Sequence, residues 1–219
     1  MEYGALLTYC PHGKNPDATN EEKRAYAVMD AVKNDGMVAS GDRVRTVPIS
    51  ERVAEMMREK WASLQFRTFF TADTVLVPVP KSGKRMAHEL WVPERVATAL
   101  SQAGIGGQVS PCLVRETPIR KSAYCAPEDR PTAAEHYGTL AVDSRISVPE
   151  RVVLVDDVVT SGAMLLASAN KLADAYHGVQ VRAFAVIRTQ SDPSTFRQDN
   201  GPCVGTITLQ HNGRTVRRP

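Results

Sequence analysis

The chain has 219 residues, 42% hydrophobic and 23% charged, with a formal net charge of +3. That is room for one α/β domain with an appendage, and it excludes a chain disordered throughout. No apolar run nears the roughly 20 residues that cross a bilayer, and so small a charge does not by itself argue for nucleic acid. Met1 to Gly4 lacks a basic stretch followed by an apolar one, so a cytoplasmic protein without a secretory leader is expected. Cys10, Cys112, Cys125 and Cys203 form no C-x-x-C pair. Cys10 and His12 have no obvious second pair for a metal, and free thiols are the simpler expectation.

In chain order, Asn20 can cap a helix to about Asp35, with Glu21 and Glu22 suited to its first turn. Ala25, Val28, Met29 and Val32 give it an apolar face, and Gly36 is its stop. Ser50 can cap a second helix over residues 51–64, with Val53, Met56, Met57, Trp61 and Leu64 at helical spacing. Thr74 to Pro80 is a β-branched run closed by prolines. A third helix begins at Lys84 or later and includes Val96, Ala99 and Leu100. Pro93 limits its early turns and Gly104 to Gly107 end it. Val109 to Arg115 is a second strand. Residues 117–136 are polar, contain Pro118, Pro127 and Pro131, and read as a long functional loop. Val152 to Val155 is a buried strand, Ser161 to Tyr176 a helix, and Val181 to Ile187 another strand. Residues 203–217 suit a hairpin turning at Asn212-Gly213. The alternation predicts an α/β fold with a mainly parallel sheet flanked by helices, an N-terminal helical extension and a C-terminal β-hairpin.

Chemistry concentrates in Val152-Val153-Leu154-Val155-Asp156-Asp157-Val158-Val159-Thr160-Ser161-Gly162-Ala163. A buried strand runs into two carboxylates, then a short loop of hydroxyls and glycine, then a helix. Ligands of open α/β sheets bind beyond the carboxyl ends of strands. The loop and the helix N-terminus can aim N–H groups at a phosphate, Thr160 and Ser161 can donate hydroxyls, and Gly162 permits close backbone approach. The carboxylates would repel phosphate but suit vicinal hydroxyls. Phosphate on one side and a diol on the other describes a ribose 5-phosphate.

This stretch resembles the phosphoribosyl-pyrophosphate motif of the type I phosphoribosyltransferases, whose pattern is apolar residues, two acids, two apolar residues, then Thr-Thr/Ser-Gly. Val-Pro-Val-Pro at residues 77–80, Arg115 at a strand end and Tyr137 to Val142 resemble the competence-protein-F-like and amidophosphoribosyl-type branch. The resemblance covers about residues 74–190 of a single domain, leaving 1–70 as an extension or hood and 195–219 as an appendage. It implies a pyrophosphate loop at Pro80, Lys81, Ser82 and Gly83, with Lys84 and Arg85 balancing charge. It also implies a mobile loop within 117–136, with Arg115, Arg120, Lys121 and Arg130 as its basic candidates. Asp156 and Asp157 would hold the ribose hydroxyls, directly or through Mg²⁺ and its water. Val158, Val159, Thr160, Ser161, Gly162 and Ala163 would frame the 5-phosphate, and Arg115, Lys84 and Arg85 would assist the leaving pyrophosphate.

The implied activity is transfer of phosphoribose from 5-phosphoribosyl 1-pyrophosphate to a small-molecule acceptor, or the reverse, by a homodimer. The alternatives are a protein of the same fold that senses this ligand without turnover, with the basic tail Arg214, Arg217 and Arg218 touching nucleic acid, and a module used for partner interaction only. Two departures stand out. Met164 takes the place of a Thr or Ser that often touches the 5-phosphate, and Thr160 takes the place of the Asp used in purine salvage.

Overall fold

The computed structural model describes residues 1–86, 88–121, 125–143, 149–196 and 201–219. Its centre is a six-stranded sheet in the order β10-β9-β1-β8-β7-β4, built from β1 (Glu2–Tyr9), β4 (Val75–Pro78), β7 (Arg151–Val159), β8 (Gln180–Thr189), β9 (Cys203–Leu209) and β10 (Thr215–Arg218). β1, β8, β7 and β4 run parallel, and the β9–β10 hairpin adds to β1 antiparallel. The sheet therefore draws β1, β9 and β10 from segments that sequence reading placed outside the core. β1 escaped notice because its residues 3–6 are all buried; a strand covered on both faces shows no alternation to read.

Helices cover both faces. On one, α1 (Asn20–Asn34), α2 (Ile49–Glu59) and α3 (Val92–Gln102) bring Met29, Val32, Val53, Met57, Val96 and Leu100 against Val153, Val155 and Phe184. On the other, α5 (Ala163–Ala175) packs Leu165, Ala169 and Leu172 with Val152, Leu154, Ala183 and Ile207. Two small antiparallel pairs lie apart: β2 (Met37–Ala39) with β3 (Thr46–Pro48), and β5 (Leu113–Arg115) with β6 (Leu140–Val142). Among the described residues no helix is long and apolar enough to cross a membrane, and all four cysteines are free.

Boundaries shift for identifiable reasons. Thr19, not Asn20, caps α1, because only Thr19 has a glutamate three residues on; Glu22 closes a capping box with it. Ser50 lies inside α2, and its N–H donates to Asp35 Oδ1 at 3.0 Å. Residues 61–63 form a separate 3₁₀ turn after α2. Pro93 falls in the first turn of α3, where it needs no partner for a missing N–H. Of 109–115 only Leu113–Arg115 is a strand, while Val109 touches Leu76 as a single parallel bridge. The 117–136 region carries order of its own: a 3₁₀ turn at Pro127–Asp129 and α4 (Ala133–Gly138), closed by a Thr132–Glu135 capping box. Residues 122–124 of that expected loop lie outside the described set.

Candidate functional site

β7 does not stop at Val155. It continues through Asp156 and Asp157 to Val159, so the loop before α5 is only residues 160–162. α5 accordingly starts at Ala163 rather than Ser161, with Gly162 as its N-cap.

The neighbouring strand β4 ends beside it, with Pro78 paired to Val155 and the Val79 N–H donating to the Val155 carbonyl at 2.9 Å. From β4 the chain leaves through α3 and returns at Val109 on the outer side of β4. From β7 it leaves through α5, on the opposite face, and returns as β8 on the inner side. Connections that diverge over opposite faces open a crevice beyond the strand ends, the usual ligand position in such sheets. The residues expected to hold pyrophosphate and those expected to hold ribose phosphate flank this one crevice.

Asp156 and Asp157 are both partly buried. The Asp157 N–H donates to Asp156 Oδ1 at 2.9 Å, and the Val158 N–H to Asp157 Oδ1 at 2.8 Å. Burial first, and then the adjacent Asp157 charge, holds the Asp156 carboxyl well above the ordinary carboxylate range. Adjacent carboxyls placed at a strand end in this way fit a ligand diol or a Mg²⁺ that takes most of its oxygens from phosphates and water. Among the described residues no cluster of three or more His, Cys, Asp or Glu could hold a metal, so any ion here would rely on this pair and on the ligand.

Thr160, Ser161, Gly162 and Ala163 line a cavity of about 50 Å³ together with Asp156, Arg130 and His136. Gly162 has φ +82°, and a Cβ there would meet Ile207 of β9 at 2.6 Å. The expected close approach at this glycine is thus to the protein's own hairpin. The hairpin also holds the loop directly. The Arg217 Nε–H donates to the Thr160 carbonyl at 2.7 Å, its Nη1 to the Tyr3 hydroxyl at 2.6 Å, and its Nη2 to the Thr189 carbonyl. Arg214 donates to the Glu128 carbonyl at 2.9 Å. Two arginines of the basic tail are thereby turned onto the chain's own backbone.

Beside β4, Pro80, Lys81, Gly83, Lys84 and Arg85 line a cleft of about 280 Å³ together with Trp91, Leu113 and Arg115. Small-molecule sites begin at roughly this size, near 300 Å³. Lys81 pairs with Glu89 at 2.8 Å, and Arg85 pairs with Glu94 at 3.2 Å while lying 4.6 Å above the Trp91 ring. Lys84 is exposed and makes no ion pair among the described residues. The Ser82 side chain is not part of the cleft wall; its carbonyl accepts from the Ile119 N–H at 2.9 Å, tying the 117–121 segment to this loop. Of the other expected loop cations, Arg120 is held by Glu135 at 2.7 Å.

Arg115 joins the two halves. It is 6% exposed, donating from Nε to the Lys81 carbonyl at 2.9 Å, from Nη2 toward Met164 Sδ at 3.1 Å, and from Nη1 to Thr139 Oγ1. All three acceptors are neutral, and no carboxylate pairs with it among the described residues. Burial alone lowers its pKa to about 10, which still leaves it charged at pH 7. A buried cation without a counter-ion is costly and marks a place where an anion is favoured.

Sequence reading named Arg115, Arg130 and the 156–163 string. It missed His136, Tyr3 and Ile207 as site residues, and it named Arg217 only as a tail cation for nucleic acid; His136 apart, these act where they do through the fold. No local pattern announces such long-range packing, and His136 lay inside a segment singled out only for its cations. No family model matches the chain, and no curated protein matches it.

Proposed function

We propose that this protein is a phosphoribosyltransferase-type enzyme. It binds 5-phosphoribosyl 1-pyrophosphate with Mg²⁺ and transfers phosphoribose to a small-molecule acceptor with release of pyrophosphate, or runs the reverse. One observation carries the proposal: the acidic pair and the Thr160–Gly162 loop end one strand of a crevice, and the buried, carboxylate-free Arg115 sits between them and the loop of the adjacent strand.

Asp156 and Asp157 would accept from the ribose hydroxyls and orient C1. The 160–163 backbone and the Thr160 and Ser161 hydroxyls would hold the 5-phosphate at the start of α5. Arg115 and Lys84 would stabilise charge developing on the departing pyrophosphate, together with Arg85 if it exchanges Glu94 for the ligand. Mg²⁺, when bound, would neutralise pyrophosphate charge. Nothing in this scheme forms a bond to the protein; rate would come from positioning and electrostatics.

A ligand sensor without turnover is favoured by one observation. Lys81 and Arg85 are already engaged by Glu89 and Glu94, which weakens the leaving-group side. The test is pyrophosphate release from 5-phosphoribosyl 1-pyrophosphate with Mg²⁺ and an acceptor pool, alongside calorimetry. Release that drops at least about 1,000-fold in Asp156→Asn with Asp157→Asn supports the enzyme, the scale expected when a preorganised electrostatic contact is lost. Binding without release supports the sensor. Absence of binding by either this ligand or a nucleoside monophosphate with Mg²⁺ overturns both.

A further inference from the structure

The cavity at the start of α5 holds two polar groups that the scheme above leaves unused. His136, on α4, is 6% exposed, and among the described residues its Nδ1 has no hydrogen-bond partner. Arg130 lines the same cavity, and its Nε is likewise buried with no partner among the described residues. A buried polar atom left without a hydrogen bond is costly, so two on residues that line one cavity need a reason.

The wall is rigidly built. The Thr132–Glu135 capping box fixes the start of α4, and Thr139 Oγ1 donates to the His136 carbonyl at 2.8 Å. Desolvation, and then the charge of Arg115, lowers the His136 pKa to about 4, so near neutral pH the ring is uncharged with one N–H to donate. Met164, also on this cavity, offers no donor, and its sulfur faces Arg115.

We propose that Arg130 and His136 complete a phosphomonoester seat with the 160–163 backbone, supplying the donors that a hydroxyl at position 164 would otherwise provide. Asp156, the one acid among the lining residues, suits the hydroxyl side of the same molecule. The ligand class is therefore a sugar phosphate. The inference rests on the phosphoribosyl reading for the identity of that sugar, though not for the presence of the seat.

The experiment uses the full chain and two probes, ribose 5-phosphate and pyrophosphate, measured by calorimetry. Arg130→Gln and His136→Leu are expected to weaken ribose 5-phosphate by about 10- to 100-fold, the worth of one hydrogen bond to a charged group. They should leave pyrophosphate within about 3-fold, a change below one such bond. Adding Met164→Thr to His136→Leu should recover about 10-fold. In the unmodified protein, ribose 5-phosphate should shift the His136 ring ¹⁵N resonances and pyrophosphate should not; this readout does not depend on any variant folding. Unchanged affinities in the variants, an unmoved His136 resonance at saturation, or no binding of ribose 5-phosphate would each overturn the seat. If ribose 5-phosphate binds as described but 5-phosphoribosyl 1-pyrophosphate with Mg²⁺ does not, the transferase reading falls and the seat stands. If the latter ligand binds and the variants bind both ligands like the parent, the seat falls and the reading stands.

Discussion

After β7, residues 160–162 are held by the β9–β10 hairpin of the same sheet: Arg217 grips the Thr160 carbonyl and Ile207 fills the space beside Gly162. After β4, Arg115 and the Ile119 N–H hold the Lys81 and Ser82 carbonyls, but residues 83–86 are more open. Lys84, Arg85 and Met86 are exposed, Gly83 has nothing within 4 Å of the position a Cβ would take, and the cations lean on surface glutamates. Both loops leave neighbouring parallel strands toward one crevice, yet the first is braced along its length and the second only over its first half. The difference fits the tasks proposed for them. A phosphate that stays with the sugar can have a fixed seat, whereas a leaving group must be engaged and released, and segments that move are drawn from the weakly braced parts of a structure.

The sharpest way to break this contrast is to place a methyl group on each loop. Gly162→Ala forces a left-handed backbone on alanine, at about 1–2 kcal/mol, and drives Cβ into Ile207, where overpacking adds about 1–3 kcal/mol. A loss of about 2–5 kcal/mol is expected in denaturant unfolding. Gly83→Ala, in open space at an unstrained φ, should fall within about 0.5 kcal/mol of the parent. Equal effects would show that the β4 loop is as constrained as its neighbour.

Titration separates the regions next. The β7 side is overlaid by His136, whose pKa falls from 6.5 to about 4 on folding. A histidine with a depressed folded pKa leaves the unfolded chain binding more protons between those values, so stability is complete above pH 6.5 and declines as pH falls toward 4. The shift corresponds to about 3 kcal/mol. The difference between the parent and His136→Leu, which largely cancels other titrating groups such as Asp156, should slope across pH 4–6.5 and be flat above. A flat difference throughout would mean that the ring is solvated.

The two regions also differed in how far they could be read. The β7 loop was legible because its chemistry is local: a buried apolar run, two acids and Thr-Ser-Gly occupy consecutive positions, and a strand-to-helix corner admits few alternatives. Its bracing was not legible, since Arg217 reaches Thr160 across 57 positions and Tyr3 across 214. Those contacts exist only because β1 and the β9–β10 hairpin enter the sheet. For the same reason Arg214 and Arg217, read as tail cations in the sequence, are backbone donors in the fold. The longer helices were legible from apolar spacing, but the second was read through the separate turn at 61–63, the third was started too early, and short α4 was read as loop. Ser50 looked like a cap because serine favours that position, but Asp35 on another segment claimed its N–H.

Removing the brace is the next smaller perturbation. Arg217→Leu deletes three donors, taking one from each of the Thr160 and Thr189 carbonyls, while the Tyr3 hydroxyl keeps its bond to the Pro219 carbonyl. Water can reach this partly buried position, so the expected loss is about 1–3 kcal/mol rather than the full cost of three bonds. Hydrogen exchange should quicken at residues 160–164 and stay unchanged at 81–86. Arg217→Lys keeps the charge but not the three-way fork and should recover little. Quickening on both loops would mean that the crevice behaves as one unit.

The smallest effect on stability is expected where the β4 loop meets its glutamates. Lys81→Ala and Arg85→Ala break ion pairs whose members are substantially exposed, with Lys81 36% and Arg85 58% accessible. Exposed pairs contribute about 0–1 kcal/mol, and the Arg85–Trp91 stacking adds about 0.5–1 kcal/mol. Each variant should therefore lie within about 1 kcal/mol of the parent, with Arg85→Ala the more affected. Pyrophosphate binding should respond more than stability does, weakening in both variants and losing part of its salt dependence, because a cation that turns from glutamate to ligand is needed only when the ligand is present. If the glutamates instead hold these cations permanently, Glu89→Gln with Glu94→Gln should leave pyrophosphate affinity unchanged. If the cations exchange partners, the same double substitution should tighten binding. The direction of that one change separates a loop that waits for its anion from one that is only a solvated turn.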